Sequence, residues 1–172
     1  AMYGGLAAIE LNPTGVRRKL LRLNPHELEK RIVLSYTGQS RNSGINNWKI
    51  TKERLDGNQE VIDLLGKLRD VTSVMRQALE NQDWIEVGRQ LSAEWSLRKK
   101  LSPKVSTPRI DLLIEHAHNA GASGAKVCGA GGGGCVIFLT EPSCKTKVRN
   151  ALLKAGAQVL DFKIDNDGLK IK

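Results

Sequence analysis

The sequence is short of the features that mark several protein classes. Its three cysteines, Cys128, Cys135 and Cys144, are an odd number without Cys-x-x-Cys spacing. That excludes a disulfide framework and a zinc-finger pattern and points to reduced thiols in a cytoplasmic setting. Aromatics are scarce: three Trp, two Tyr and two Phe supply little of the stacking platform that single-stranded nucleic acid requires, so a nucleic-acid binder is disfavoured. No apolar stretch approaches the ~20 residues needed to cross a bilayer, and no segment has the basic start and apolar middle of a signal peptide. Acidic residues are the minority. With 27 Lys and Arg against 18 Asp and Glu the net charge is +9, which favours an anionic partner without choosing among phosphorylated small molecules, nucleic acid and acidic surfaces.

What is present suits one globular domain over 1–172: 172 residues, 40% of them hydrophobic and 26% charged, are enough to bury a sizeable core. Ala1 before Met2 reads as a cloning residue, so the native protein is expected to be longer. Leu6 to Leu11 and Val16 to Leu23 alternate around the turn residues Asn12 to Gly15 and predict a hairpin with a basic edge, which Asn24 and Pro25 break. Ile32 to Tyr36 reads as a buried strand, and Thr37 to Gly44 as a polar loop. Helical spacing then predicts three helices with breaks at Gly57 and Asn81 to Asp83, and it places Trp48, Trp84 and Trp95 in the core. Ser106 or Thr107 caps a fourth helix that begins at Pro108 and ends at Gly121. Strands follow at Gly124 to Cys128 and Cys135 to Leu139, then a helix from Pro142 to Ala155, then a strand from Val159 to Ile164. Clustered strands and clustered helices indicate an α+β fold with an antiparallel sheet of about four strands.

Five of the 17 glycines fall at Gly129, Gly131, Gly132, Gly133 and Gly134, interrupted only by Ala130. Such a run is entropically costly to order and makes sense where backbone must approach a ligand or offer several N–H groups to an anion; a tight turn that other elements pack against is the alternative. The literal Gly-x-Gly-x-x-Gly pattern does not make a dinucleotide site, because a strand rather than a helix follows it. No Gly-Lys-Ser/Thr follows for a P-loop, and the other protein-kinase motifs are missing.

In context, Ala125-Lys126-Val127-Cys128-Gly129-Ala130-Gly131-Gly132-Gly133-Gly134-Cys135 resembles the third signature motif of the GHMP kinases, and within that family the heptose phosphate kinases. Tyr3-Gly4-Gly5-Leu6, Tyr36-Thr37-Gly38 through Ser40-Arg41, Leu97 through Leu101-Ser102 with Val105-Ser106, and Pro108 with Ile110-Asp111 support the resemblance over essentially the whole chain. It implies a ferredoxin-like GHMP C-terminal domain with an added helical segment, from a cytoplasmic ATP-dependent kinase that phosphorylates a sugar, with heptose phosphate as the expected class. The family's N-terminal motif and its Pro-x-x-x-Gly-Leu-x-Ser-Ser ATP loop are absent from this sequence, as is its acidic catalytic residue. The chain is therefore expected to be the inactive substrate-side half, with ATP and Mg held mainly by the other half. A non-catalytic phosphosugar-binding or partner-pairing module is the alternative, and homo-oligomerisation through an exposed sheet edge is expected.

The expected roles follow. Gly129, Ala130, Gly131, Gly132, Gly133 and Gly134 form the cofactor-binding loop, with N–H groups of Gly131 to Gly134 facing phosphate or sugar oxygens. Gly38, Ser40 and Arg41 hold the substrate phosphate, Arg41 reading equally as a solvated loop charge. Lys99 and Lys100 read as a surface face. His116 and His118, two apart on a helix, cannot share a metal, and no metal site is indicated. Cys128 and Cys135 read as small, buried strand residues.

Overall fold

The computed structural model describes residues 3–40 and 44–170. The alternating N-terminal segment forms the expected hairpin, β1 (Ala7–Asn12) and β2 (Gly15–Leu20), with Leu11 opposite Val16 and Asn12 opposite Gly15. It is a separate two-stranded sheet, and β2, which carries Arg17, Arg18 and Lys19, is exposed along its whole length.

Asn24 and Pro25 do more than break the hairpin. The Asn24 side chain accepts from the His26 amide at 3.1 Å, and Pro25 occupies a first-turn position whose N–H would be unused. They thus start a short helix, α1 (Pro25–Arg31), that the spacing did not predict.

β3 (Ile32–Tyr36), β4 (Ala122–Val127), β5 (Cys135–Thr140) and β6 (Gln158–Leu160) form the main sheet in the order β4-β5-β3-β6, every pairing antiparallel. This is the expected α+β architecture. The last strand stops at Leu160 rather than Ile164; beyond it the Ile164 amide donates instead to Glu29 Oε1 at 2.7 Å.

The helices are α2 (Gly44–Leu55), α3 (Gln59–Glu80), α4 (Trp84–Leu101), α5 (Pro108–Asn119) and α6 (Lys145–Lys154). Their boundaries are local chemistry: Asn58, Asp83 and Thr107 each accept a hydrogen bond from a backbone amide of the first turn. One-turn 3₁₀ segments at Pro103–Val105 and Pro142–Cys144 precede α5 and α6.

α5 and α6 cover one face of the main sheet, where Val33, Val136 and Phe138 meet Ile110, Leu113, Val148 and Leu152. The α3–α4 hairpin covers the other, where Leu139 and Ile32 meet Ala78, Leu79, Val87 and Leu91. α4 approaches β4 closely enough that a Cβ on Gly124 would stand 2.5 Å from the Gly88 carbonyl oxygen. Trp95 is 4% exposed and Trp84 is half-buried against the α3–α4 cluster. Trp48 is not a core residue: it is 69% exposed, because α2 packs chiefly on α3 and its tryptophan edge meets solvent.

Candidate functional site

Because β5 runs antiparallel to both β3 and β4, the chain leaving β3 and the chain joining β4 to β5 emerge at the same end of the sheet. The two segments are hydrogen-bonded to each other. The Thr37 amide donates to the Gly134 carbonyl at 3.0 Å and the Gly134 amide donates to the Gln39 carbonyl at 2.8 Å. A third segment joins them: the Gly132 amide donates to the Val105 carbonyl at 2.7 Å, tying the glycine loop to the turn that leads into α5.

The five glycines of the loop all have φ between 75° and 147°, a region where L side chains are strained. Space is also restricted. A Cβ on Gly131 would lie 2.1 Å from Val105 Cγ2, and one on Gly133 would lie 2.9 Å from the Gln39 carbonyl oxygen and 3.1 Å from that of Ser40. Glycine is required here both by conformation and by the close approach of neighbouring backbone.

The expectation that all the amides from Gly131 to Gly134 face a ligand needs correction. Those of Gly132 and Gly134 are taken up by the carbonyls of Val105 and Gln39. Among the described residues, the amides of Ala130, Gly131 and Gly133 have no such backbone partner; Ala130 is half-buried, and Gly131 and Gly133 are buried. Gly38, with φ 84°, and Ser40 are exposed beside the loop. Arg41 lies outside the described residues.

Sequence reasoning did not foresee how the cations are distributed. The motif lysine, Lys126, is drawn off by Glu94: its Nζ is 2.8 Å from Glu94 Oε1, which also accepts from Arg98 Nε. Glu94 is only 8% exposed, so the pair offsets the cost of burying its charge rather than adding much stability. The signal was present in the spacing, since Glu94 falls in the apolar stripe of Val87, Leu91 and Trp95. Lys99 sits 3.5 Å from Asp111 Oδ1, which also accepts from Ser106 Oγ at 2.8 Å; this ties the end of α4 and the segment before α5 to the first turn of α5. Lys99 and Lys100 are on the surface, as read from the sequence. Lys104, also exposed, belongs to the same segment, its carbonyl oxygen 3.3 Å from where a Gly132 Cβ would be.

The histidines take no part. His118 Nδ1 is 2.8 Å from the Ala122 carbonyl oxygen and His26 Nδ1 2.9 Å from Glu29. Among the described residues no group of three His, Cys, Asp or Glu side chains could hold a metal ion. Nor is any of their helices long and apolar enough to cross a membrane. What the site can do chemically is bind an anion, with backbone donors and nearby lysines.

Residues 75–158 match the family model described as GHMP kinases C terminal. The chain is 32% identical over 151 residues to a mevalonate kinase of Thermococcus onnurineus and 28% identical over 144 residues to a D-glycero-alpha-D-manno-heptose 7-phosphate kinase of Campylobacter jejuni. Each alignment covers 84% of this chain but only 44% and 42% of the relative, so the chain spans less than half the length of these curated proteins. Among solved structures, L. major mevalonate kinase in complex with R-mevalonate superposes with a TM-score of 0.81 over 97% of this chain and 51% of that one. Its identity of 18% makes this a likeness of fold.

Proposed function

The chain belongs to the GHMP kinases and carries their C-terminal domain, and from that premise we propose that it is the substrate-side part of an ATP-dependent cytoplasmic sugar kinase, acting on a heptose phosphate. The observation that supports the reading is the pair of hydrogen bonds between Gly134 and the Thr37–Gln39 segment, which joins the glycine loop and the polar loop at one end of the sheet.

In this reading the amides of Ala130, Gly131 and Gly133 donate to phosphate oxygens, and Lys99 and Lys104 add positive charge at the rim. Gly38 lets the backbone turn close to the ligand, while Ser40 and Arg41 hold the phosphate already on the sugar, Arg41 by a two-pronged contact. ATP, when bound, supplies the phosphoryl group. Magnesium and the catalytic acid are assigned to the family's ATP-loop half, whose motifs this sequence does not contain, and no residue here is given a catalytic role. We expect the purified 172-residue chain to consume no ATP with any sugar; robust turnover would overturn this division of labour.

Binding tests the reading directly. Calorimetric titration should give at least tenfold tighter binding of a heptose 7-phosphate than of the unphosphorylated heptose, with the difference abolished in Arg41→Ala. Equal binding of the two sugars would instead favour a partner-pairing module, for which the exposed apolar residues of the hairpin are the supporting observation.

A further inference from the structure

The two cysteines that bracket the glycine run are not independent residues. The antiparallel register of β4 and β5 pairs Val127 with Val136. One step further along, the Cys128 amide donates to the Cys135 carbonyl at 2.8 Å, so the two cysteines stand opposite each other at the neck of the loop. Residues opposed in a hydrogen-bonded pair of this kind have Cα atoms about 5.5 Å apart and project from the same face of the sheet, inside the ~4.4–6.8 Å range that a disulfide spans. The face is the one away from the α5–α6 core, since the neighbouring Val127 and Val136 are the residues buried in that core. Both cysteines are half-buried rather than sealed, and the adjoining Gly129 is exposed, which leaves a small oxidant a way in.

We propose that Cys128 and Cys135 form an oxidation site, a dithiol that a hydroperoxide converts to an intramolecular disulfide across the neck of the glycine loop. The thiolate of one cysteine attacks the peroxide oxygen, breaking the O–O bond and giving a sulfenic acid, with the departing oxygen protonated to water or alcohol. The thiolate of the other attacks that sulfur, the S–S bond forms, and the hydroxyl leaves as a second water. Two electrons pass from the two thiols to the peroxide. The six residues Gly129 to Gly134 are then enclosed in a covalent ring, so the disulfide should reduce the opening motions of the loop.

Cys144 provides an internal control. It is also half-buried, but it lies beside Gly121 at the start of α6, with Cys144 Sγ 3.2 Å from where a Gly121 Cβ would stand, and it has no cysteine opposite it in a ladder. The whole chain is treated with graded hydrogen peroxide, alkylated, and digested with trypsin and chymotrypsin, which cut after Lys126, Phe138 and Lys145 and so place Cys128 and Cys135 on one peptide and Cys144 on another. The expected result is a Cys128–Cys135 peptide that has lost two hydrogens and carries no alkyl group, at peroxide concentrations at least tenfold below those that modify Cys144, and reversal by dithiothreitol. Hydrogen exchange of the amides from Gly129 to Gly134 should slow at least threefold in the oxidised protein. Cys128→Ser and Cys135→Ser should each abolish the link and leave the remaining cysteine to progress to sulfinic acid. Equal consumption of all three thiols, links only between different chains, or sulfinic acid in the unaltered protein without the internal disulfide would each overturn the proposal. None of these readouts depends on kinase activity.

Discussion

Gly131 and Gly132 are neighbours with unequal tolerance for a side chain. Both have positive φ, but a methyl on Gly131 would overlap Val105 side chain and backbone, whereas the nearest atom to one on Gly132 is a carbonyl oxygen at 3.3 Å. Gly131→Ala is therefore expected to cost about 3 kcal/mol or more, combining left-handed strain with overpacking. Gly132→Ala should cost about 1–2 kcal/mol from backbone strain alone; urea unfolding of the two variants distinguishes these outcomes. Glu29 shows the effect of pH at a single residue. Its carboxyl is held below the usual carboxylate range by the hydrogen bond from the Ile164 amide and by His26. A depressed value in the folded state means that the contact contributes stability above the ordinary glutamate range, near pH 4.5, and loses it as pH falls through the lowered value. Following the Ile164 amide shift by NMR during acid titration should show the contact releasing below pH 4.5, and Glu29→Gln should remove that transition.

At the level of elements, what the sequence made legible was local chemistry. Thr107 and Pro108 start α5 for reasons contained within four residues, and Ile32 to Tyr36 is a strand by its β-branched, apolar composition. α1 was missed because Asn-Pro reads as a terminator and a two-turn helix has too few apolar positions to show a period; only the capping bond at Asn24 identifies it. Trp48 and Trp95 mark the limit of periodicity. Both sit on helices with apolar spacing, but nothing in the spacing says which helix has a second layer to pack against. α4 lies on β4, while α2 leans mainly on α3. Trp95→Ala should accordingly cost about 3–5 kcal/mol, whereas Trp48→Ala should change stability by no more than about 0.5 kcal/mol, as read from thermal or urea unfolding. The candidate site was legible as two loops, since glycine-rich and polar runs between strands are plain in the sequence. The inward use of the Gly132 and Gly134 amides was not, because their acceptors, Val105 and Gln39, belong to remote segments.

For the whole molecule, the hairpin is the exposed part. Ile9, Leu11, Val16 and Leu20 are all more than half exposed, on a sheet of only two strands among the described residues. Unpaired edges and apolar patches of this kind promote association. Sedimentation velocity should show concentration-dependent self-association that Leu11→Lys with Val16→Lys suppresses; a monomer at every concentration would count against it. Read from the sequence, the hairpin was plain, but its separation from the main sheet was not, because strand composition does not specify which sheet a strand joins.

The order of the main sheet also has a consequence for biosynthesis. β3 has no partner near it in the chain: Ile32 pairs with Leu139 and Tyr36 with Cys135, and its other neighbour, β6, comes later still. At roughly 5–20 residues per second of translation, a completed β3 waits on the order of ten seconds before β5 emerges to cover it. During that interval the helices between them can form from local contacts, but the strand Ile32–Tyr36 remains an uncovered apolar ribbon on the ribosome. The step that closes the sheet is thus a long-range one, of the kind that folds in milliseconds to seconds rather than microseconds. Nascent chains stalled before Cys135 should therefore be the ones that hold-type chaperones engage.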